Sequence, residues 1–256
     1  MNITFSQYIR NPMNSAVFTA VMRETMHKEY IRKYDAILVR EHGRIDYKFF
    51  RDKQNRLYGY FKIPSETIEK FYYDVVVEFT GNEEVKEAGT NLFEYNVRFF
   101  SNDPAFTFTY AYVFNRNDLL IKALRSKMSQ KAIKKAAVEK NPSNQIGYVK
   151  TLYFVYLTML NRGLNFTSNV NPAAIPIESM DTIRNLIMDT DKKIEDRETA
   201  GVKLQRKKAR EKEQEERRQD PNIRTTSTLK VNTTKTTKLN SPVKKLVNTI
   251  SKVKRK

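Results

Sequence analysis

Asp46, Asp74 and Glu78 are the carboxylates whose placement could serve chemistry, because all three lie in segments with the alternating pattern of strands. Acidic side chains converging from neighbouring strands can hold a magnesium ion for phosphodiester hydrolysis. The plainer reading is that Asp74 and Glu78 bracket the apolar run Val75-Val76-Val77, and no lysine completes a nuclease motif around them. Imidazole chemistry has two candidates: His27, expected on the exposed side of a helix, and His42, in a turn between charges. The chain has no cysteine, which excludes disulfides, thiolate catalysis and cysteine zinc sites. Its seven glycines occur singly, so neither a phosphate-cradling loop nor a nucleophile elbow can be built. The expectation is a non-enzymatic chain with no catalytic residue, no metal site and no cofactor.

One further pattern could bind a ligand. Phe49, Phe50, Tyr58, Tyr60 and Phe61 lie among Lys48, Arg51, Arg56 and Lys62, and aromatic rings between basic residues can stack the bases of single-stranded nucleic acid. Strand periodicity alone assigns half of those rings to a core.

The elements that must position these residues read as α+β. Val17, Val21, Met22, Met26 and Tyr30 recur at helical spacing from Asn14 to about Tyr34. Strand character begins at Ile37-Leu38-Val39, and Ile45–Phe50 with Leu57–Ile63 flank the polar turn Asp52-Lys53-Gln54-Asn55 as a hairpin. Ser65, behind Pro64, starts one helical turn, and Phe71–Phe79 forms a well-buried strand. Leu92–Phe100 and Ala105–Phe114 surround the turn-forming Ser101-Asn102-Asp103-Pro104 and complete an antiparallel meander of about five strands. Helices resume at Asp118, and Ile146–Asn161 ends at Gly163.

All 29 Phe and Tyr residues lie between Phe5 and Phe166. Aromatic side chains bury roughly 150–250 Å² each, so residues 1–166 are expected to form the globular body. Residues 167–219 then read as a linker and a charged helical extension. Within it Ile183, Ile187 and Ile194 form a short stripe, so that residues 178–204 could pair with a second copy, and 203–219 read as a solvated helix. Residues 220–240 are a Thr/Lys/Asn linker too poor in apolar side chains to fold alone. The longest apolar stretch, Leu152–Leu160, is too short to cross a bilayer, and the N-terminus has no signal-peptide pattern. Membrane attachment is therefore not expected.

Residues 241–256 regain a pattern. Ser241-Pro242 is a helix-starting pair, and Val243, Leu246, Val247, Ile250 and Val253 make one apolar stripe. Lys244, Lys245, Lys252, Lys254, Arg255 and Lys256 occupy the remaining surface and the end. The formal net charge is +18, and residues 220–256 hold 10 basic residues against one acidic. Such clustering suits an anionic partner, whereas the stripe suits a groove on a neighbouring subunit. The 20-residue linker would have a reach of roughly 25 Å.

Phe71-Tyr72-Tyr73-Asp74-Val75-Val76-Val77-Glu78-Phe79, the run Phe106–Phe114, Tyr148–Leu157 and the Lys- and Asn-rich usage together resemble virion proteins of large tailed bacteriophages. The resemblance spans roughly residues 5–165 and carries no functional residue over. It implies a structural part of a virion, made in the host cytoplasm and placed in the head–tail joining region. Its partners would be other assembly proteins, with DNA as the alternative partner of the basic tail.

Overall fold

The computed structural model describes residues 2–10, 20–80 and 90–219. The chain divides into two compact units, Met1–Arg206 and Lys207–Lys256.

The first unit is α+β, built on a four-stranded antiparallel sheet in the order β1-β2-β3-β4. β1 (Asp46–Arg51) and β2 (Leu57–Pro64) form the hairpin expected from their alternation, with Phe50 opposite Tyr58 and Asp46 opposite Lys62. β3 (Tyr72–Thr80) lies centrally and is buried at seven consecutive positions, Tyr73 to Phe79. β4 (Asn96–Ser101) completes the meander after a single 3-10 turn at Leu92–Glu94.

Helices pack on one face of the sheet. α1 (Phe5–Arg10) sets Phe5 and Tyr8 against Phe99, at ring distances of 5.6 and 5.1 Å. α2 (Ala20–Arg40) and α5 (Lys150–Asn161) lie together, and the Tyr34 hydroxyl donates to Thr158 Oγ1 at 3.2 Å. Ile37-Leu38-Val39, expected to begin the strands, instead continues α2. Tyr30, Tyr34 and Ile37 form its inward stripe, and the helix stops where His42 and Gly43 take positive φ. Residues 65–70 bend without forming a helical turn, although the Ile68 amide does donate to Ser65 Oγ.

The expected fifth strand is a helix. Asp103 is its N-cap, accepting the Ala105 amide at Oδ1, and Pro104 takes the first helical position. The helix runs through a π-turn at Phe106–Tyr110, closed by the Ala111 amide on the Phe106 carbonyl, into α3 (Ala111–Arg116). The alternation of Phe106, Phe108, Tyr110 and Tyr112 imitates a strand. Phe106, Tyr110, Val113 and Phe114 at helical spacing are the side chains that turn inward. The place beside β4 that a fifth strand would fill is taken by short bridges. The Val97 amide donates to Ile3, and Phe99 exchanges bonds with Leu119 and Ile121. At the opposite edge, Arg51 pairs with residues 176–178. The β4 edge is thus covered along most of its length, whereas β1 is paired on its outer side only at Arg51.

The first unit also runs well past Phe166, the expected end of the body. Its other sheet face is covered by the segment that carries α6 (Thr167–Val170), α7 (Met180–Leu186) and the start of α8 (Thr190–Gln219). Ile183, Ile187 and Thr190 are all buried. These residues replace aromatic side chains as core, which is why the aromatic boundary misplaces the end of the body. α4 (Gln130–Lys134) is one short turn beside α3.

Gly147 shows how closely the helical layer is fitted. A Cβ there would fall on the Tyr110 ring, while the Gly147 carbonyl accepts from the buried Tyr8 hydroxyl. Gly147→Ala is expected to lower stability by about 1–3 kcal/mol. The check is thermal unfolding, in which a drop of several degrees should accompany the change and an unchanged midpoint would refute it.

Candidate functional site: the carboxylate face of the sheet

The register places Asp46, Lys48 and Phe50 of β1, Tyr58, Tyr60 and Lys62 of β2, Asp74, Val76 and Glu78 of β3, and Arg98 and Phe100 of β4 on one face. All three candidate carboxylates therefore share a face, but they do not converge. Asp74 and Glu78, four residues apart along a strand, are separated by about 13 Å, and Asp46 lies two strands from Asp74, about 10 Å away. Among the described residues no three potential metal ligands come together.

Asp74 and Glu78 are instead buried anchors, 6% and 1% exposed. Asp74 Oδ1 accepts from the Tyr60 hydroxyl at 2.8 Å. Its Oδ2 accepts from Asn102 Nδ2 at 2.8 Å and from the Met188 amide at 3.2 Å. Asn102 Oδ1 accepts from the Asp74 amide at 2.8 Å, and its Nδ2 also donates to the Met188 carbonyl at 3.3 Å. Glu78 faces Arg56 at 3.3 Å and Arg98 at 4.0 Å, with the Tyr58 hydroxyl at 3.3 Å. Asp52, which the sequence marked only as a turn residue, joins this group. It accepts the Gln54 and Arg56 amides at Oδ1 and the Arg56 guanidinium at Oδ2. Arg98 continues to Asp118 at 2.9 Å. Asp46 stays exposed.

Burial holds the Glu78 carboxyl above its usual range, although Arg56 and Arg98 pull the other way. Burial also raises Asp103, against its bonds from the Ala105 amide and Thr151. For a carboxyl raised on folding, the contribution to stability is full below the unfolded value, about 4.3 for Glu. It is lost as pH climbs through the folded value. Glu78→Gln should therefore gain stability relative to the native chain as pH rises from 4 to 8. Urea unfolding across that range checks the sign, and a difference that shrinks with rising pH would contradict it. Tyr60→Phe, which removes a donor to Asp74, should cost about 1.5–3 kcal/mol at neutral pH in the same assay.

His27 is half-buried and packs between Tyr148 and Tyr153, each ring 5.1 Å away, so it does not lie on the solvent side of its helix. His42 sits in the turn after α2, as expected. The aromatic rings of the hairpin do not form a stacking surface. Phe50, Tyr58, Tyr60 and Phe61 are buried, and Phe49 packs on Phe61. Their basic neighbours are engaged too: Lys48 with Glu178, Arg56 with Asp52 and Glu78, and Arg51 with the Ala173 and Ile175 carbonyls. His27 is covered by rings of the helical layer, and the hairpin rings are buried because both faces of the sheet are covered.

α8 changes character along its length. Lys193 lies over the Phe71 ring at 4.7 Å, and Arg197 donates to the Tyr73 hydroxyl at 2.8 Å. Ile194, Arg197, Gly201 and Leu204 are half-buried, and every residue from Gln205 to Glu216 is exposed. That exposed stretch carries the ion pairs Lys207–Glu211 and Lys212–Glu216. Ile183 and Ile187, expected to pair with a second copy, belong to the chain's own core. The stripe Val243, Leu246, Val247, Ile250 and Val253, and the basic residues Lys244, Lys245, Lys252, Lys254, Arg255 and Lys256, lie outside the described residues. No helix among the described residues is long and apolar enough to cross a membrane. The chain matches no protein-family model, no curated protein and no solved structure.

Proposed function

We propose that this chain is a non-enzymatic assembly protein. The resemblance of its sequence to phage structural proteins makes a virion component of the head–tail joining region the natural setting. The observation that carries the reading is the commitment of the buried carboxylates. Asp52, Asp74 and Glu78 are each held by hydrogen bonds or ion pairs within the sheet and its cover. Their oxygens are thus occupied within the fold, which supports a structural role for them. The sequence feature that suits attachment is the apolar stripe Val243, Leu246, Val247, Ile250 and Val253.

A second reading has one specific support, the charge of residues 220–256, which suits nonspecific binding to nucleic acid. The two readings rank substitutions in opposite order. With a second copy of the chain as the neighbouring subunit, the full-length protein should sediment as a species larger than a monomer. Leu246→Asp combined with Ile250→Asp should dissolve that species. Changing Lys252, Lys254, Arg255 and Lys256 to Gln should weaken it only modestly. A chain that stays monomeric at every concentration, and whose binding to duplex DNA follows the lysines and not the stripe, would favour the second reading.

A further inference from the structure

Phe108 breaks the pattern of the body. It is 44% exposed, whereas Phe106 and Phe114 on the same helical segment are fully buried. It stands on the π-turn, a form of helix that occurs frequently at functional sites. A pocket of about 220 Å³ opens beside it, lined by Thr107, Tyr112, Ser129 and Ala132 among others, and a second of about 390 Å³ runs along Lys135–Lys140. The small side chains Ala132, Ala136 and Ala137 leave this space beside the ring. Thr107 is 1% exposed, and its hydroxyl has no hydrogen-bond partner among the described residues. Ser129 starts α4 without capping it through its side chain. The pocket thus brings together a ring face and two hydroxyl groups free of structural duty.

The charge around it is one-sided. Between Asp118 and Glu178 the sequence has a single acidic residue, Glu139. Lys122 and Arg125 face Asp118, and Lys127 faces Asp189. Lys131, Lys134, Lys135 and Lys140 are exposed, and none of them has an acidic partner among the described residues. Lys140 Nζ stands 5.8 Å from the Phe108 ring centre.

We propose that this surface binds single-stranded nucleic acid, with one base stacked on Phe108 and the backbone phosphates held by Lys131, Lys134, Lys135 and Lys140. An exposed ring bordered by unpaired cations is the arrangement that binds unpaired bases without sequence preference. A duplex keeps its base faces stacked, so one phenyl ring gains nothing from it. The chain's own C-terminal stripe is an unsuitable occupant, because Lys244, Lys245 and Lys252 would bring like charge to the patch. The site is independent of the tail and of the assembly reading.

The experiment uses full-length protein in which all ten Lys and Arg residues of 220–256 are changed to Gln, so that the tail does not contribute. Fluorescence anisotropy is followed with a labelled 20-nucleotide oligo(dT), a 20-base-pair duplex and a poly-Glu peptide, across a salt series. Phe108→Ala should weaken oligo(dT) binding roughly 10-fold, Phe108→Tyr should retain it, and duplex binding should change less than about twofold. Lys131→Gln with Lys135→Gln should reduce the log–log salt slope for oligo(dT) by about 1.4. Equal affinity for oligo(dT) with and without the Phe108 ring would overturn the proposal. So would a loss of poly-Glu binding as large as the loss of oligo(dT), which would make the surface an acidic-peptide groove. Phe108, Lys131 and Lys135 are all exposed, and an unaltered thermal midpoint confirms that the fold is intact in each variant.

Discussion

The Asp74 carboxylate on the central strand is the constraint around which the second layer of the molecule is organised. A buried acid is costly unless its lone pairs are met, and β3 alone cannot meet them. The donors come from Tyr60 on the adjacent strand, Asn102 just past β4, and the Met188 amide between α7 and α8. One side chain thereby ties three separate regions to one point. The Met188 bond places Ile183 and Ile187 close to the sheet, where they are buried. Asn102 holds both the strand and the incoming segment, so the register of β3 and the position of α7 depend on each other.

Glu78 and Asp52 repeat this logic at the far end of the same face, with arginines as partners. Arg56 belongs to the hairpin, Arg98 to β4, and Arg98 hands the network on to Asp118 after α3. The sheet's two faces therefore hold together by different means. One is a packing of Phe5, Tyr8, Phe99 and Phe114 rings at 5–6 Å. The other is a set of charged hydrogen bonds under an aliphatic cover. The second is directional, and it specifies which segment covers the face more sharply than apolar burial alone would.

The contrast between the first stretch of α8 and its later residues bears on attachment. Up to Leu204 the helix keeps a half-buried stripe, and beyond it charge surrounds the axis. A helix of the latter kind gains only about 0.2–0.5 kcal/mol from each i,i+4 pair. The Phe108 surface is different: it is formed by packed elements and is in place before any partner arrives. A chain built for attachment would gain from having both.

Local patterns in the sequence determined a good deal. The hairpin, β3, α5 and the charged stretch of α8 were legible because each is specified by periodicity, turn residues or charge within about twenty positions. The reading of residues 105–114 as a strand failed although the decisive signal was present, since Asp103-Pro104 is the same kind of helix-starting pair as Ser241-Pro242. Alternating Phe and Thr outweighed it, and the two periods coincide at Phe106, Tyr110 and Phe114. Other features belonged to tertiary structure alone. Nothing local says that Ile183 and Ile187 cover a sheet, that Asp74 is met by an amide 114 residues away, or that Phe108 faces outward while Phe106 does not. Burial is a property of what arrives on the other side, and one segment's sequence carries no record of its neighbour.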